Sequence, residues 1–146
     1  MKTLTVKSPA FEHHGQIPKK YSCDGQGINP PLTIEGTPKE AKTLVLIMDD
    51  PDAPMGTFDH WVVWNIPPTT MKIGEDTHPG VEGLNGAQEN GYTGPCPPGG
   101  THRYFFKVYA IDSELGLSQN SKKKDVEVAI QRHIIAKGEL VGLYSR

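Results

Sequence analysis

The sequence predicts a mainly β domain, a sandwich or mixed sheet with one or two helices at its edge. Three observations predict it. Glycine and proline number 16 and 13 among 146 residues, more than a helical domain carries. The apolar runs are short and bounded by turn residues. Only one segment, near the C-terminus, repeats apolar residues at helical spacing. The length suits a single domain, 1–146, with a real core.

Taken in order, Leu4-Thr5-Val6 starts a strand that runs into Ser8-Pro9. A loop rich in Gly, Pro, Asn and Asp follows, from His13 to Pro31. Its stretch "YSCDGQGINPPL", Tyr21 to Leu32, reads as irregular backbone with tight turns. Thr43 to Met48 is an apolar run between turn signals, hence a buried strand. It leads directly into "DDPDAP", Asp49 to Pro54, which sets three carboxylates on a proline-stiffened turn.

"FDHWVVWNI", Phe58 to Ile66, is the next strand. Strict alternation puts Phe58, His60, Val62, Trp64 and Ile66 on one face and Asp59, Trp61, Val63 and Asn65 on the other. Both faces are apolar, which predicts a central strand covered on both sides. Pro67-Pro68 ends it. Thr69 to Gly100 is long, glycine-rich and mostly strandless; a loop of this length in a compact domain is usually functional or mobile. Tyr104 to Ile111 is a strand rich in aromatic and β-branched residues. A helix is expected over Lys122 to Ala136, where Val126, Ile130 and Ile134 recur at four-residue spacing beside Ala129 and His133. Ser121 is its expected N-cap and Gly138 its stop. Leu140 to Tyr144 closes the chain as a last strand.

Charge narrows the function classes. Seventeen acidic and 15 basic side chains give a formal net charge of −2, which does not favour nucleic acid as a partner. Lys122-Lys123-Lys124 reads as the solvated first turn of the helix. No run of about 20 apolar residues exists to insert in a membrane. Met1 to Lys7 lacks the apolar segment of a signal peptide, so the expected location is cytoplasmic. Two cysteines, Cys23 and Cys96, are too few for a disulfide scaffold. Whether they bridge each other stays open.

Three segments bear on chemistry: the Asp49–Pro54 turn, His60 at the start of its strand, and "GPCPPGGTHRY", Gly94 to Tyr104, which delivers His102 at the start of another. All lie where strands meet loops. Strand ends on one side of a sheet would converge on one pocket. Singly, each has a plainer reading: acidic proline turns are common, and a lone strand histidine is usually bonded to backbone. Together they describe an anion cradle. Gly94 to Gly100 contains three prolines, leaving the N–H groups of Gly94, Cys96, Gly99 and Gly100 as donors on a stiff backbone. Asp50 or Asp52 could accept a hydrogen bond from His60 or His102, orienting the ring and favouring an imidazolium toward the anion. A carboxylate could also meet an ammonium group on the ligand directly. Arg103 points to the opposite face from His102 and suits a structural carboxylate.

The same residues admit other chemistry. Two histidines and two aspartates can complete a divalent site, but no ligand spacing such as H-x-H or H-E-x-x-H is present. The expectation is no metal and no cofactor. Cys96 precedes His102 by six residues, yet no G-x-S-x-G elbow exists, and a packed or bridged cysteine is preferred to a nucleophile.

"DDPDAP", "HWVVWNIP" (His60 to Pro67) and "GPCPPGGTHRYFFKVYAID" (Gly94 to Asp112), with the Tyr21–Leu32 loop and the closing helix and strand, resemble the phosphatidylethanolamine-binding protein (PEBP) family. The likeness is to its bacterial and archaeal, Raf-kinase-inhibitor-like branch and covers nearly the whole chain. It implies a large central antiparallel sheet packed on a smaller sheet, with peripheral helices. It implies a small anion pocket at Asp50, Asp52, Pro54, His60, Gly94, Pro95, His102 and Tyr104, and a cis peptide at Ala53-Pro54. Eukaryotic members carry a C-terminal helix near the pocket. This sequence stops at Arg146, so the mouth is expected to be more open, or covered by Thr69–Asn90 or a partner subunit. Kinase regulation by the eukaryotic proteins therefore transfers poorly, and so does phospholipid binding, because nothing in this chain reads as a membrane-docking surface.

The functional expectation is a non-enzymatic protein that binds a phosphate, phosphoethanolamine-like or carboxylate anion and modulates a protein partner such as a kinase or protease. The alternative is a hydrolase or transferase in which Asp50 orients His60 or His102 as a base, with Cys96 or a metal supplying the nucleophile. A third reading is inhibition of a kinase or protease through an exposed loop. Trp61 and Trp64, on opposite strand faces, leave room for an apolar outer surface that a homodimer would cover.

Overall fold

The computed structural model describes residues 1–146. The elements are β1 (Lys2–Thr3), β2 (Thr5–Lys7), β3 (Gly15–Gln16), a 3-10 turn (Lys19–Tyr21), β4 (Leu32–Glu35), β5 (Thr43–Asp50), β6 (Phe58–Ile66), β7 (Lys72–Ile73), β8 (Val81–Glu82), β9 (Thr101–Ile111), α1 (Lys123–Ile130) and β10 (Ile134–Ser145). Seven strands form one large sheet, in the order β1-β10-β9-β5-β6-β8, with β3 also paired to β10; β2, β4 and β7 form a small one.

The large sheet is antiparallel through its middle, from β10 to β8. It is mixed overall, because β1 and β3 both run parallel to β10. The expected central antiparallel sheet is present, and the two parallel pairs lie at this edge. Twelve residues of β10 present a long row of backbone groups, and two short N-terminal pieces cover it in tandem, β1 at Ala136–Lys137 and β3 at Gly142–Leu143.

Central strand β5 is buried at all eight positions because both sheet faces are covered. Leu44, Leu46 and Met48 face the small sheet; Val45 and Ile47 pack under α1. The alternation runs on into the acidic residues. Asp49 and Asp50 are the last two residues of β5, not part of the turn as the sequence suggested.

Strand β6 has the predicted bounds but not the predicted faces. Leu46 opposes Val63 while Leu44 opposes Ile66, and Met48 opposes Trp61 while Asp49 opposes Asp59. At each shift β6 carries an extra residue, so its side-chain phase slips. Trp61, Val63 and Ile66 enter the core beneath the small sheet, whereas Val62 and Trp64 lie under α1. Asn65 takes φ 53° at the second shift, and its amide is tied to both backbone groups of Leu115. The first shift leaves His60 as the extra residue. Trp61 and Trp64 do lie on opposite faces, but both are fully buried, so they provide no outer surface for a second copy.

The helix is shorter than predicted. It ends at Ile130, and the Ile134 that continued its spacing opens β10 opposite Ile111. β-Branched Ile134 and Ile135 gain a full-length strand partner in β9, and this non-local pairing overrides the helical spacing. The N-cap is Lys122, whose N–H is accepted by the Asp125 carboxylate, rather than Ser121. Gly138 is not a helix stop. It lies inside β10, where a Cβ would run into the Leu4 carbonyl.

Residues 69–100 contain only β7, β8 and a Leu84–Asn90 bridge. The Asn85 side chain ties the segment down. Its Oδ1 accepts the N–H groups of Ala87 and Glu89, and its Nδ2 donates to the Gly91 carbonyl.

Candidate functional site

Antiparallel pairing brings three strand ends to one edge of the large sheet: the end of β5, the start of β6 and the start of β9. Asp50 terminates β5, Phe58 and His60 open β6, and His102 and Tyr104 open β9. They enclose a cavity of about 200 Å³, lined also by Ala53, Pro54, Thr93, Gly94, Cys96, Pro97 and Pro98. Four larger clefts, of about 360 to 580 Å³, lie elsewhere. Only one of them holds a buried charged side chain, Asp49, and none gathers buried histidines as this smaller cavity does.

Six of the eight sequence-predicted residues line the cavity: Asp50, Pro54, His60, Gly94, His102 and Tyr104. Asp52 and Pro95 do not. The Asp52 carboxylate turns out to Arg103, accepting from its N–H and Nε at 2.9 Å and from Nη2 at 2.8 Å. These bonds hold its carboxyl at about 2. Arg103 thus takes the structural carboxylate expected of it. Pro95 is buried, and its carbonyl accepts the Cys23 N–H. Phe58, Ala53, Thr93, Cys96, Pro97 and Pro98 are additions to those eight. Phe58 stands two residues before His60 on the same strand, a spacing that signals a shared face.

The two histidines differ in their partners. His102 Nδ1 lies 2.7 Å from Asp50 Oδ2, with the side chains 9 % and 4 % exposed. Asp50 Oδ1 accepts the Asp52 N–H at 2.8 Å. The carboxylate thereby orients the His102 ring with its proton on Nδ1. His60 Nδ1 instead lies 2.7 Å from the Thr93 carbonyl, and the Thr93 N–H returns to the His60 carbonyl. Burial pushes the His60 pKa down, against the opposing pull of the Thr93 carbonyl and of Asp50, Asp59 and Asp49. The carboxylate-held ring expected at either histidine is therefore His102 alone, and His60 is held neutral.

Between them stands Tyr104. Its ring meets His60 edge-on at 5.2 Å and stacks with His102 at 6.4 Å, while Phe58 meets His60 at 4.8 Å. The Tyr104 hydroxyl is fully buried and has no protein partner. Burial, then the nearby Asp50, pushes its ionisation well above the ordinary phenol range, so it is an O–H.

All peptide bonds are trans, which corrects the expected cis bond at Ala53-Pro54. The turn closes by other means. Asp50 Oδ1 caps the Asp52 N–H, and the Gly56 N–H reaches the Ala53 carbonyl at 3.2 Å with Gly56 at φ 105°.

The opposite wall, Gly94 to Pro98, is pinned from behind. Cys23 and Cys96 form a disulfide, and Gly94 packs so tightly on the Tyr21 carbonyl that a Cβ would stand 2.6 Å from it. Of the four donors expected here, Gly94 and Cys96 line the cavity. Gly99 does not, and the Gly100 N–H is taken by the Arg146 carbonyl. The bridge leaves Cys96 no thiol with which to act as a nucleophile. No group of three or more His, Cys, Asp and Glu side chains is arranged to hold a metal ion. Residues 69–90 contribute nothing to the lining; its exposed residues are Pro54, Cys96 and Pro98.

Comparison with known proteins adds to this geometry. The sequence model of a family described as phosphatidylethanolamine-binding protein matches residues 7–145. A UPF0098 protein of Methanothermobacter thermautotrophicus is 45% identical, over 98% of this chain and 99% of its own length. The crystal structure of a PEBP homologue from Chlamydia trachomatis superposes with a TM-score of 0.96 at 43% identity, covering 100% of this chain and 99% of that one. E. coli YbcL, described as a new member of the mammalian PEBP family, superposes with a TM-score of 0.91 at 29% identity over 98% of both chains.

Proposed function

The chain belongs to the phosphatidylethanolamine-binding protein family, and from that premise we propose that it binds a small phosphate-type anion, free or as the end of a phosphoethanolamine-like ligand, in the His60–His102–Tyr104 cavity. One observation carries the reading. The Tyr104 hydroxyl is a buried polar group without a partner, in a cavity lined also by His60, His102, Asp50 and the backbone of Gly94 and Cys96. An unsatisfied buried hydroxyl costs about 1–3 kcal/mol, and a ligand oxygen in the cavity would remove that cost.

The surroundings support the same reading. Asp50 spends its charge on His102 Nδ1 and the Asp52 N–H, so it orients the ring and does not confront the ligand with free lone pairs. His102, so held, has Nε2 left as its polar atom for the ligand. A volume of about 200 Å³ suits a phosphate-sized group and little more, which would leave the rest of a larger ligand over exposed Pro54 and Pro98.

Titration of the histidine NMR signals with phosphate and with phosphoethanolamine tests this. The His60 and His102 resonances should move together, and His102→Ala should bind at least ~10-fold more weakly, the value of a charge-assisted hydrogen bond. Resonances that stay still at millimolar ligand would rule the proposal out.

A further inference from the structure

We propose that this site takes its anion in a protonated form, so that the ligand donates a P–OH to Nε2 of His60 and sulfate is excluded. The inference rests on the phosphate-type reading above and refines it.

The argument begins at Thr93. A backbone carbonyl only accepts, so the His60 nitrogen 2.7 Å from it must carry the proton. In a neutral ring the other nitrogen, Nε2, is then a lone pair. It has no protein partner, and the ring borders the cavity. A second proton there would have to survive in a ring that is 5 % exposed, in edge contact with the rings of Phe58 and Tyr104. Burial works against that charge.

The neighbouring charged and titratable groups do not reverse this. Asp50 on β5 is committed to His102 and to the Asp52 N–H. Asp49, also on β5, and Asp59 on β6 are paired with Lys123 on the far side of the sheet. On β9, Tyr104 offers only a neutral hydroxyl, and the proton on His102 Nδ1 belongs to the Asp50 pair. Thr93, on the remaining wall, contributes only its carbonyl.

A fully deprotonated oxyanion therefore finds donors at Tyr104 and at the Gly94 and Cys96 backbone, but a lone pair at His60. Lone pair against lone pair is repulsive, and a buried site cannot relieve it with water. An anion that keeps one hydroxyl satisfies both ends. It donates P–OH to His60 Nε2 and accepts from the Tyr104 hydroxyl. Inorganic phosphate keeps such a proton throughout the neutral range, whereas sulfate has the same shape and none. A phosphomonoester loses its last proton at roughly pH 6, so it fits as the monoanion.

Calorimetric titration of the wild-type protein at pH 7 and constant ionic strength, with sodium phosphate and with sodium sulfate, decides the matter. Phosphate should bind at least tenfold tighter than sulfate. Phosphoethanolamine should lose affinity between pH 6 and pH 8 more steeply than inorganic phosphate does. His60→Gln, whose amide can turn a donor to the ligand, should bring the phosphate-to-sulfate ratio toward unity. Equal binding of the two anions by the wild type would overturn this inference and leave the anion pocket standing. No heat from either anion would overturn the pocket and the inference together. A long-range nitrogen–proton NMR spectrum that found the His60 proton on Nε2 would also overturn the inference, and does not depend on binding.

Discussion

Asp49 and Asp50 are consecutive in β5 and send their carboxylates to opposite faces of the large sheet. Asp50 Oδ2 meets His102 Nδ1 at 2.7 Å inside the cavity. Asp49 Oδ2 lies 3.0 Å from Lys107 Nζ and 3.2 Å from Lys123 Nζ, and Lys123 also reaches Asp59 Oδ1 at 3.0 Å. One carboxylate orients a cavity-facing ring. The other clips helix α1 to the sheet. The pleat alone separates these duties.

Asp49→Ala should therefore damage stability and spare binding. Asp49 is 2 % exposed, and its loss leaves Lys107 without a carboxylate and Lys123 with Asp59 alone. Breaking one partner of a buried pair costs about 3 kcal/mol. Urea unfolding should show that loss, while phosphate affinity of the folded fraction changes less than about twofold, a shift within the scatter of surface effects. A large affinity change with unchanged stability would contradict the division.

Gly94→Ala should do both. The added methyl would stand 2.6 Å from the Tyr21 carbonyl and 3.0 Å from Ser22 Cα, both backbone atoms that cannot swing aside. Overpacking of this kind costs about 1–3 kcal/mol. Because Gly94 lines the cavity, the displaced wall should also weaken phosphate binding. Paired urea and calorimetric measurements should find both effects; unchanged affinity would mean that this wall does not shape the site.

The disulfide closes a long loop, with Cys23 and Cys96 separated by 73 positions, and both cysteines are exposed to thiol reagents. Closure of a loop of that length restricts the unfolded chain by about 4 kcal/mol in the chain-entropy account, and measured values commonly fall at 2–4. Reductant should lower the urea midpoint accordingly, and the double variant Cys23→Ser, Cys96→Ser should start at the lower midpoint and ignore reductant. A midpoint unmoved by reduction would contradict this.

Asp52 should contribute to acid sensitivity in a definite window. Its hydrogen bonds to Arg103 lower its pKa from the ordinary 3.8 to about 2. A depressed carboxyl pKa gives stability that is complete above the unfolded value and lost as pH falls through the folded one. Wild type and Asp52→Asn should differ by a constant amount near neutrality and converge between pH 4 and pH 2. The side chain is 29% exposed, so screening keeps the difference under about 1 kcal/mol. A gap that widened on acidification would have the wrong sign.

Much of this fold was legible in the sequence. Phe58–Ile66 was bounded as observed, and the buried strand after Thr43 and the aromatic strand ending at Ile111 were located, because each is apolar, β-rich and punctuated by turn residues. The three segments that build the cavity were identified, and six of the eight named residues line it. The misses share a cause. Strict alternation failed in β6 because two extra residues shift its register against β5. The helix was overextended because Ile134 fits both a helical repeat and a strand, and its partner Ile111 lies far away in sequence.

By itself, then, the sequence determined which segments are strands, where the chain turns and which polar residues stand at strand ends, since these follow from local periodicity and turn chemistry. Only the tertiary structure decided which of two neighbouring aspartates meets a histidine, that Cys23 joins Cys96, and that His60 bonds a carbonyl rather than a carboxylate. Those outcomes depend on register between strands distant in sequence, and a shift of one residue exchanges one face of a sheet for the other.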